Sequence, residues 1–347
     1  MKKIVTFALV FAAALILCAG ESYSFFTISD THFGYPENYA KPRPGVKGWY
    51  CRDPKRTVTA LPVYKALFDD ISAKAGKDSF LIQCGDLIDG ATLGLDVHKK
   101  EISTALELLE KHIKIKIYHV SGNHEDYGEG GKEAYEAVLL PAISASAGQK
   151  LTYGNYTFAK GEDRFIVLDW RGRSKWTDFL KKTLASLESR PRYLFVAIHT
   201  PIIATGNRTS PIALDLLLPY DAIILSGHIH RNMIAVYEKD GHAVTQLTVS
   251  TRLPEHSVGK SVCAPGKITL EKYRKTAVAG EKKPENRANI EKLLANVTEY
   301  TSVSGSGYLK IDVSDAGVTA FYQGTNLARK PAKFTILPRA KKAEEAK

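Results

Sequence analysis

The chain has 347 residues, with 48 Lys and Arg against 37 Asp and Glu, a formal net charge of +11. That length can bury a full core without disulfide staples, and 24% charged with 44% hydrophobic residues excludes a disordered chain. The positive excess suits an anionic partner without saying which.

The first residues stand apart. Met1-Lys2-Lys3 is a short cationic start, residues 4–17 are almost unbroken apolar, and Cys18-Ala19-Gly20 follows. This is the pattern of a secretory signal, residues 1–20, removed after Gly20. The apolar run is shorter than the roughly 20 residues of a spanning helix. The expectation is an exported protein, periplasmic or extracellular. Lipid attachment at Cys18 is the alternative, although Leu17 stands where a small residue is usual. After cleavage Cys51, Cys84 and Cys263 remain, an odd number that is no disulfide framework. Cys84 lies in an apolar strand, and a Cys51–Cys263 pair is left open.

Apolar runs predict strands over 24–29, 80–84, 115–120, 165–169, 193–198 and 222–225. Helical periodicity between them predicts helices over 61–75, 99–112, 132–140, 176–188 and 212–217. Ser174 is the predicted N-cap of the fourth, and Pro211 suits the first turn of the last. This alternation predicts a layered α/β fold. Two hairpins follow, 233–237 with 243–249 around Asp240-Gly241, and 308–313 with 318–322 around Asp315-Ala316-Gly317. Residues 21–324 read as one domain with a basic insertion at about 256–300, taken as a solvated loop with a helix over 284–297. Residues 325–347 read as a basic, mobile end.

Nearly every strand runs into a metal-ligand type of residue. The blocks are Asp30-Thr31-His32, Gly85-Asp86 with Asp89, Gly122-Asn123-His124-Glu125, His199, and Gly227-His228-Ile229-His230. In an open α/β sheet, ligands bind at the carboxyl ends of strands. Asp30 and His32 are two apart, as are His228 and His230, so in extended backbone each pair points one way. The preceding glycines permit close approach or a turn of positive φ. Two Asp, one Asn and four His, without a thiolate, suit Mn, Fe, Zn or a similar divalent ion. Seven ligands exceed one catalytic zinc and fit two ions sharing a carboxylate. Such a pair activates water and clamps the oxygens of an in-line phosphoryl displacement.

The five blocks, in order over residues 30–230, resemble the calcineurin-like metallophosphoesterase superfamily. The resemblance implies a four-layer α-β-β-α sandwich of two mixed sheets. It also implies a metal-dependent phosphoric ester hydrolase, acting on mono- or diesters by in-line attack of a metal-activated hydroxide. Asp30, His32 and His230 would hold one ion, Asn123, His199 and His228 the other, and Asp86 would bridge them. His124 would assist the leaving oxygen, and Asp89 would orient a ligand. A tyrosine ligand of the purple acid phosphatase branch is replaced here by Asp89, which argues against an Fe(III)–tyrosinate. The non-enzyme alternative is a metal-dependent scaffold of the cell envelope. His98, His112, His119, His242 and His256 read as structural or surface residues.

Positive charge concentrates in three places. Residues 33–56 carry six cations against two acids, with Tyr35, Tyr39, Trp49 and Tyr50 among them. This long loop follows His32, and Arg43, Lys47 and Arg52 are its candidate substrate contacts. Residues 256–292 carry nine cations against four acids, suiting an anionic envelope surface. Nucleic acid is not favoured as a partner, since only Tyr273 interleaves them. The C-terminal end from Thr325 carries seven against two, so the rest of the mature chain is mildly acidic. Asn155, Asn207 and Asn296 begin matches to the glycosylation pattern.

Overall fold

A computed structural model describes residues 21–34, 55–90, 94–169, 175–203, 211–253, 267–279 and 283–337. The signal region with Cys18, the loop residues Arg43, Lys47 and Arg52, Cys51, Cys263, Ser174, Asn207 and His256 lie outside them.

Two sheets form the centre. The first contains β1 (Tyr23–Ile28), β2 (Phe80–Cys84), β3 (Lys116–Val120), β12 (Gly307–Ser314), β13 (Gly317–Gly324) and β14 (Ala332–Leu337). Its order is β14-β13-β12-β1-β2-β3. The β1-β2-β3 pairs are parallel and the others antiparallel. The second contains β4 (Tyr156–Lys160), β5 (Asp163–Leu168), β6 (Leu194–Ile198), β7 (Ile223–Ser226), β8 (Asn232–Lys239), β9 (His242–Thr248), β10 (Lys267–Thr269) and β11 (Val297–Val303). Its order is β10-β11-β8-β9-β7-β6-β5-β4. Both are mixed, as the four-layer reading requires.

Side-chain alternation along single strands shows the layers. On β5, Phe165 and Val167 enter the core between the sheets, while Ile166 and Leu168 join Leu180 and Leu214 of the covering helices. On β6, Phe195 and Ala197 face inward, and Leu194, Val196 and Ile198 face the helices. Strands buried on both faces read as unbroken apolar runs. The inter-sheet core is aromatic. Phe25 stacks on Phe80 at 5.1 Å and meets Phe165 and Phe195 edge-on at 5.4 and 5.2 Å. Each such pair contributes roughly 0.5–1.5 kcal/mol beyond its area.

Helices Lys55–Lys74 and Leu95–His112 cover the first sheet through Leu67, Phe68, Ile71, Ile102 and Leu109. Pro62 lies within the first of these. The predicted 132–140 helix is longer: Gly131–Ala134 and Leu140–Ala147 are joined by a π-helical turn, Tyr135–Leu139. The Trp176–Ala185 helix follows Lys175, which has φ 49° and makes no side-chain cap.

Two expectations are corrected. The basic insertion is not a solvated loop where described. Helices Leu270–Ala279 and Pro284–Ala295 carry Tyr273, Ala277, Ile290 and Leu294 into the outer core, and β11 pairs with β8 from Val297 to Val303 with one bulge. Tyr273 is fully buried and stacks on Tyr300 at 3.9 Å. Its charges mask an amphipathic pattern with few apolar positions. Likewise, the C-terminal end is not all mobile, because β14 pairs with β13 from Ala332 to Leu337. Ile336 is buried there among mostly exposed neighbours, which is why composition reads as a tail. Residues 338–347 lie outside the described part.

Candidate metal centre

The parallel strands of both sheets end at one rim. The loops after β1, β2, β3, β6 and β7 carry the five motif blocks. Asp30, His32, Asp86, His228 and His230 all have positive φ, 57°, 45°, 51°, 72° and 51°. Such backbone is costly for a non-glycine residue and persists where the surroundings over-determine it. The extended pairing expected for Asp30/His32 and His228/His230 is therefore replaced by left-handed turns, which lift side chains off the sheet edge. Gly85, at φ 85°, is needed there, since a Cβ would lie 2.6 Å from His199 Nδ1.

The donors form two sets. Around one point, Asn123 Oδ1 lies 2.8 Å from His228 Nδ1 and 3.2 Å from His199 Nε2, and His199 Nε2 lies 3.2 Å from Asp86 Oδ1. Around the other, His32 Nε2 lies 2.9 Å from His230 Nε2, 3.6 Å from Asp86 Oδ2 and 3.8 Å from Asp30 Oδ1. Asp30 Oδ1 is 3.5 Å from His230 Nε2. Asp86 thus turns one oxygen to each set. His228 and His230, neighbours in sequence, go to different sets.

The chemistry of the donors asks for cations. His199 gives its Nδ1 proton to Cys84 O at 2.8 Å, so its Nε2 lone pair faces the Asn123 and Asp86 oxygens. Lone pairs directed at one another in a buried site repel unless a proton or a metal ion lies between them. The donor groups fit a divalent metal centre.

The electrostatics agree. Burial opposes the charge on Asp86, but His199, His124 and the His124 backbone N–H outweigh it and hold the carboxyl well below the usual range. Burial pushes Asp30 up to about 7, His199 pulling it back and Asp86 adding to the rise. His199 is disfavoured as a cation by burial, yet Asp86 and Asp30 raise it to about 9. Burial, then the Arg252 charge, hold His230 well below its ordinary range. A bound cation would replace the protons that these imidazoles and carboxylates share.

His124 forms a further group with His32 and Asp89 at the edge of the set that contains His32 and His230. Its backbone N–H donates to Asp86 Oδ1 at 2.9 Å, and its Nδ1 lies 2.5 Å from Asp89 O. Its Nε2 points inward, 3.8 Å from Asp86 Oδ2. Asp89 Oδ1 is 3.5 Å from His32 Nδ1, placed to orient that ring.

Three features escaped the sequence reading. Glu125, buried, accepts backbone N–H groups from Gly122, Asp86, Leu87 and Ile88. Its motif position was visible, but this role needs the fold. Arg252, 4% exposed, follows β9 at the same rim. The neighbouring Thr251 N–H donates to Ser29 O at 2.8 Å, next to Asp30. No motif marks it, only its position after a strand end. Tyr127, three residues after His124, faces that ring at 5.2 Å.

The residues read as structural behave so where described. His98 Nε2 meets Glu125 O at 3.1 Å, His112 pairs with Asp69, and His242 with Asp221. Asn155 is buried with Oδ1 accepting the Asp169 N–H, so that glycosylation match serves packing.

Comparison with known proteins is consistent with this geometry. The calcineurin-like phosphoesterase family profile matches residues 23–232. A search of curated proteins finds no match. Among solved structures, a dimetal phosphatase from Danio rerio is similar at TM-score 0.52 and 12% identity, over 90% of this chain and 99% of that one. The purple acid phosphatase PPD1 from yellow lupin (Lupinus luteus) is similar at TM-score 0.51 and 14% identity, over 94% of this chain and 58% of that one. PhoD is similar at TM-score 0.51 and 12% identity, over 90% of this chain and 68% of that one. At such identities these structures share the fold with this chain, which spans little more than half of the lupin protein. The family match covers most of the chain and includes every motif block, so the chain belongs to the calcineurin-like phosphoesterases, a family of metal-dependent phosphoric ester hydrolases.

Proposed function

We propose that this protein is an exported phosphoesterase that uses two divalent ions to hydrolyse a phosphate mono- or diester. The observation that supports it most is Asp86, whose two oxygens face two separate donor sets. Asp30, His32 and His230 would hold one ion and Asn123, His199 and His228 the other, with Asp86 shared.

When bound, such an ion pair lowers the pKa of a water and neutralises charge on the phosphoryl oxygens. The protein's own residues do the rest. Asp86, held ionised, keeps the two sets in fixed register. The Asp89 carboxylate stands 3.5 Å from His32 Nδ1, and the Asp89 carbonyl accepts from His124 Nδ1. That leaves His124 Nε2 as the atom that can give a proton to the departing oxygen. Arg252 adds positive charge at the rim, where a phosphate would approach. The cationic loop over 33–56, with Arg43, Lys47 and Arg52, is proposed to add to it.

Export is proposed from the cationic start and apolar run of residues 1–20. No described helix is long and apolar enough to cross a membrane.

The test uses the full chain loaded with Mn. Turnover of p-nitrophenyl phosphate and bis(p-nitrophenyl) phosphate is expected, with loss on chelation and in Asp86→Asn. Metal analysis should give two ions per chain, and fewer in the variant. Two bound ions without turnover of any phosphate ester would instead support a scaffold.

A further inference from the structure

Tyr127 is one of three large hydrophobic side chains that stand exposed among the described residues, 48% open, the others being Tyr153 and Ile212. It is the one in contact with the centre. Its ring lies 5.2 Å from the His124 ring at an interplanar angle of 65°. The position is fixed rather than accidental. His124–Asp126 form a single 3-10 turn, and the Tyr127 backbone N–H closes on His124 O. His124 Nδ1 is held by Asp89 O, and the phenol stands against that imidazole.

The placement has a consequence for substrate. His124 Nε2 is the atom positioned to reach the departing oxygen, so the substituent on that oxygen must lie within a bond or two of the imidazole. Tyr127 borders that space and offers an uncovered aromatic face. An exposed ring beside a reacting group gains most when another flat ring covers it.

We infer that Tyr127 is a specificity-determining residue that selects phosphate esters whose leaving group carries a planar ring, an aryl or nucleobase-bearing alcohol. The inference rests on the phosphoesterase reading for its chemistry, but the ring contact is made in binding and can be measured without turnover.

The experiment compares the Mn-loaded protein with Tyr127→Ala and Tyr127→Phe. Binding of phenylphosphonate and propylphosphonate is measured by calorimetry, and kcat/KM is measured for phenyl phosphate and propyl phosphate. Tyr127→Ala should lower the phenyl-to-propyl ratio about tenfold in both measurements, and Tyr127→Phe should keep it within about twofold. Bound metal and thermal midpoint should be unchanged, because the side chain is exposed. An unchanged ratio in Tyr127→Ala overturns the inference. If the native protein turns over neither ester, the monoesterase form of the phosphoesterase reading fails, and the phosphonate ratio still decides for or against Tyr127.

Discussion

The backbone N–H of His228 lies 2.9 and 3.0 Å from the two carboxylate oxygens of Asp30, joining residues 198 positions apart. Both residues hold positive φ. The turn after β1 and the turn after β7 thus brace each other, and a carboxylate of the proposed ligand set is part of the brace. Strained turns at a site need this kind of support from outside their own segment.

Asp30→Ala tests the brace. The variant should lose the ion held with His32 and His230 and retain the other, so metal content falls from two per chain toward one. Phosphoesterase kcat/KM should fall by roughly 10²–10³-fold, the range for removing one strong electrostatic contact from a transition state. Unchanged metal content would remove Asp30 from the ligand set.

Glu125 ties the turn after β2 to the turn after β3 through four backbone N–H groups. Burial, with Asp86 nearby, pushes its carboxyl up to about 7. Glu125→Ala leaves buried donors unsatisfied, which costs about 1–3 kcal/mol and more where several are involved. Urea unfolding of the metal-free variant should show that loss, and its affinity for the second ion should weaken. Stability equal to the native protein would mean the donors find other partners.

His119 makes an acid-stability prediction away from the ligands. Burial holds it down to about 4, against 6.5 for an ordinary imidazole, and its Nδ1 has no hydrogen-bond partner among the described residues. Between those values the unfolded chain binds more protons than the folded one. Stability is therefore full above about pH 6.5 and falls as pH drops toward 4. The loss between pH 7 and pH 5 should be about 2 kcal/mol from this residue alone. His119→Leu, measured by denaturant unfolding of the metal-free protein, should flatten that slope by the same amount. An equal slope in both proteins would assign the acid sensitivity elsewhere.

The layered fold and the site were legible for one reason. Buried parallel strands must be apolar, and polar residues such as Asp30, Asp86 and His199 at their ends interrupt the runs sharply. What stayed hidden was whatever depends on partners distant in sequence. β11 and β14 are half-exposed strands whose pairing with β8 and β13 no local pattern announces. The helices over 270–279 and 284–295 bury few side chains, so their charges dominate a composition reading. Glu125 and Arg252 gain their roles only when two rim loops meet. The splitting of His228 and His230 between two donor sets follows from left-handed backbone, which spacing alone does not reveal.

The far end of the sandwich carries a separate bolt. Asp163, the first residue of β5, is buried and accepts from Tyr23 Oη at 2.9 Å, Arg192 Nε at 3.0 Å and Nη2 at 2.6 Å, and the Tyr193 N–H at 3.0 Å. Arg192 also binds Asp315 in the turn between β12 and β13. Tyr23 and Asp315 belong to the first sheet and Asp163 to the second, so the network pins the two together. It lies a strand length, roughly 20 Å, from the proposed metal ligands. Asp163→Ala would leave Arg192 with Asp315 alone and the Tyr23 hydroxyl without its acceptor, a loss of about 1–3 kcal/mol for a donor left unsatisfied. The thermal midpoint should fall, while metal content and kcat/KM, measured well below that midpoint, should match the native protein. A fall in kcat/KM of the still-folded variant would show that the spacing of the sheets is transmitted to the rim, and the bolt would then be part of the site's support.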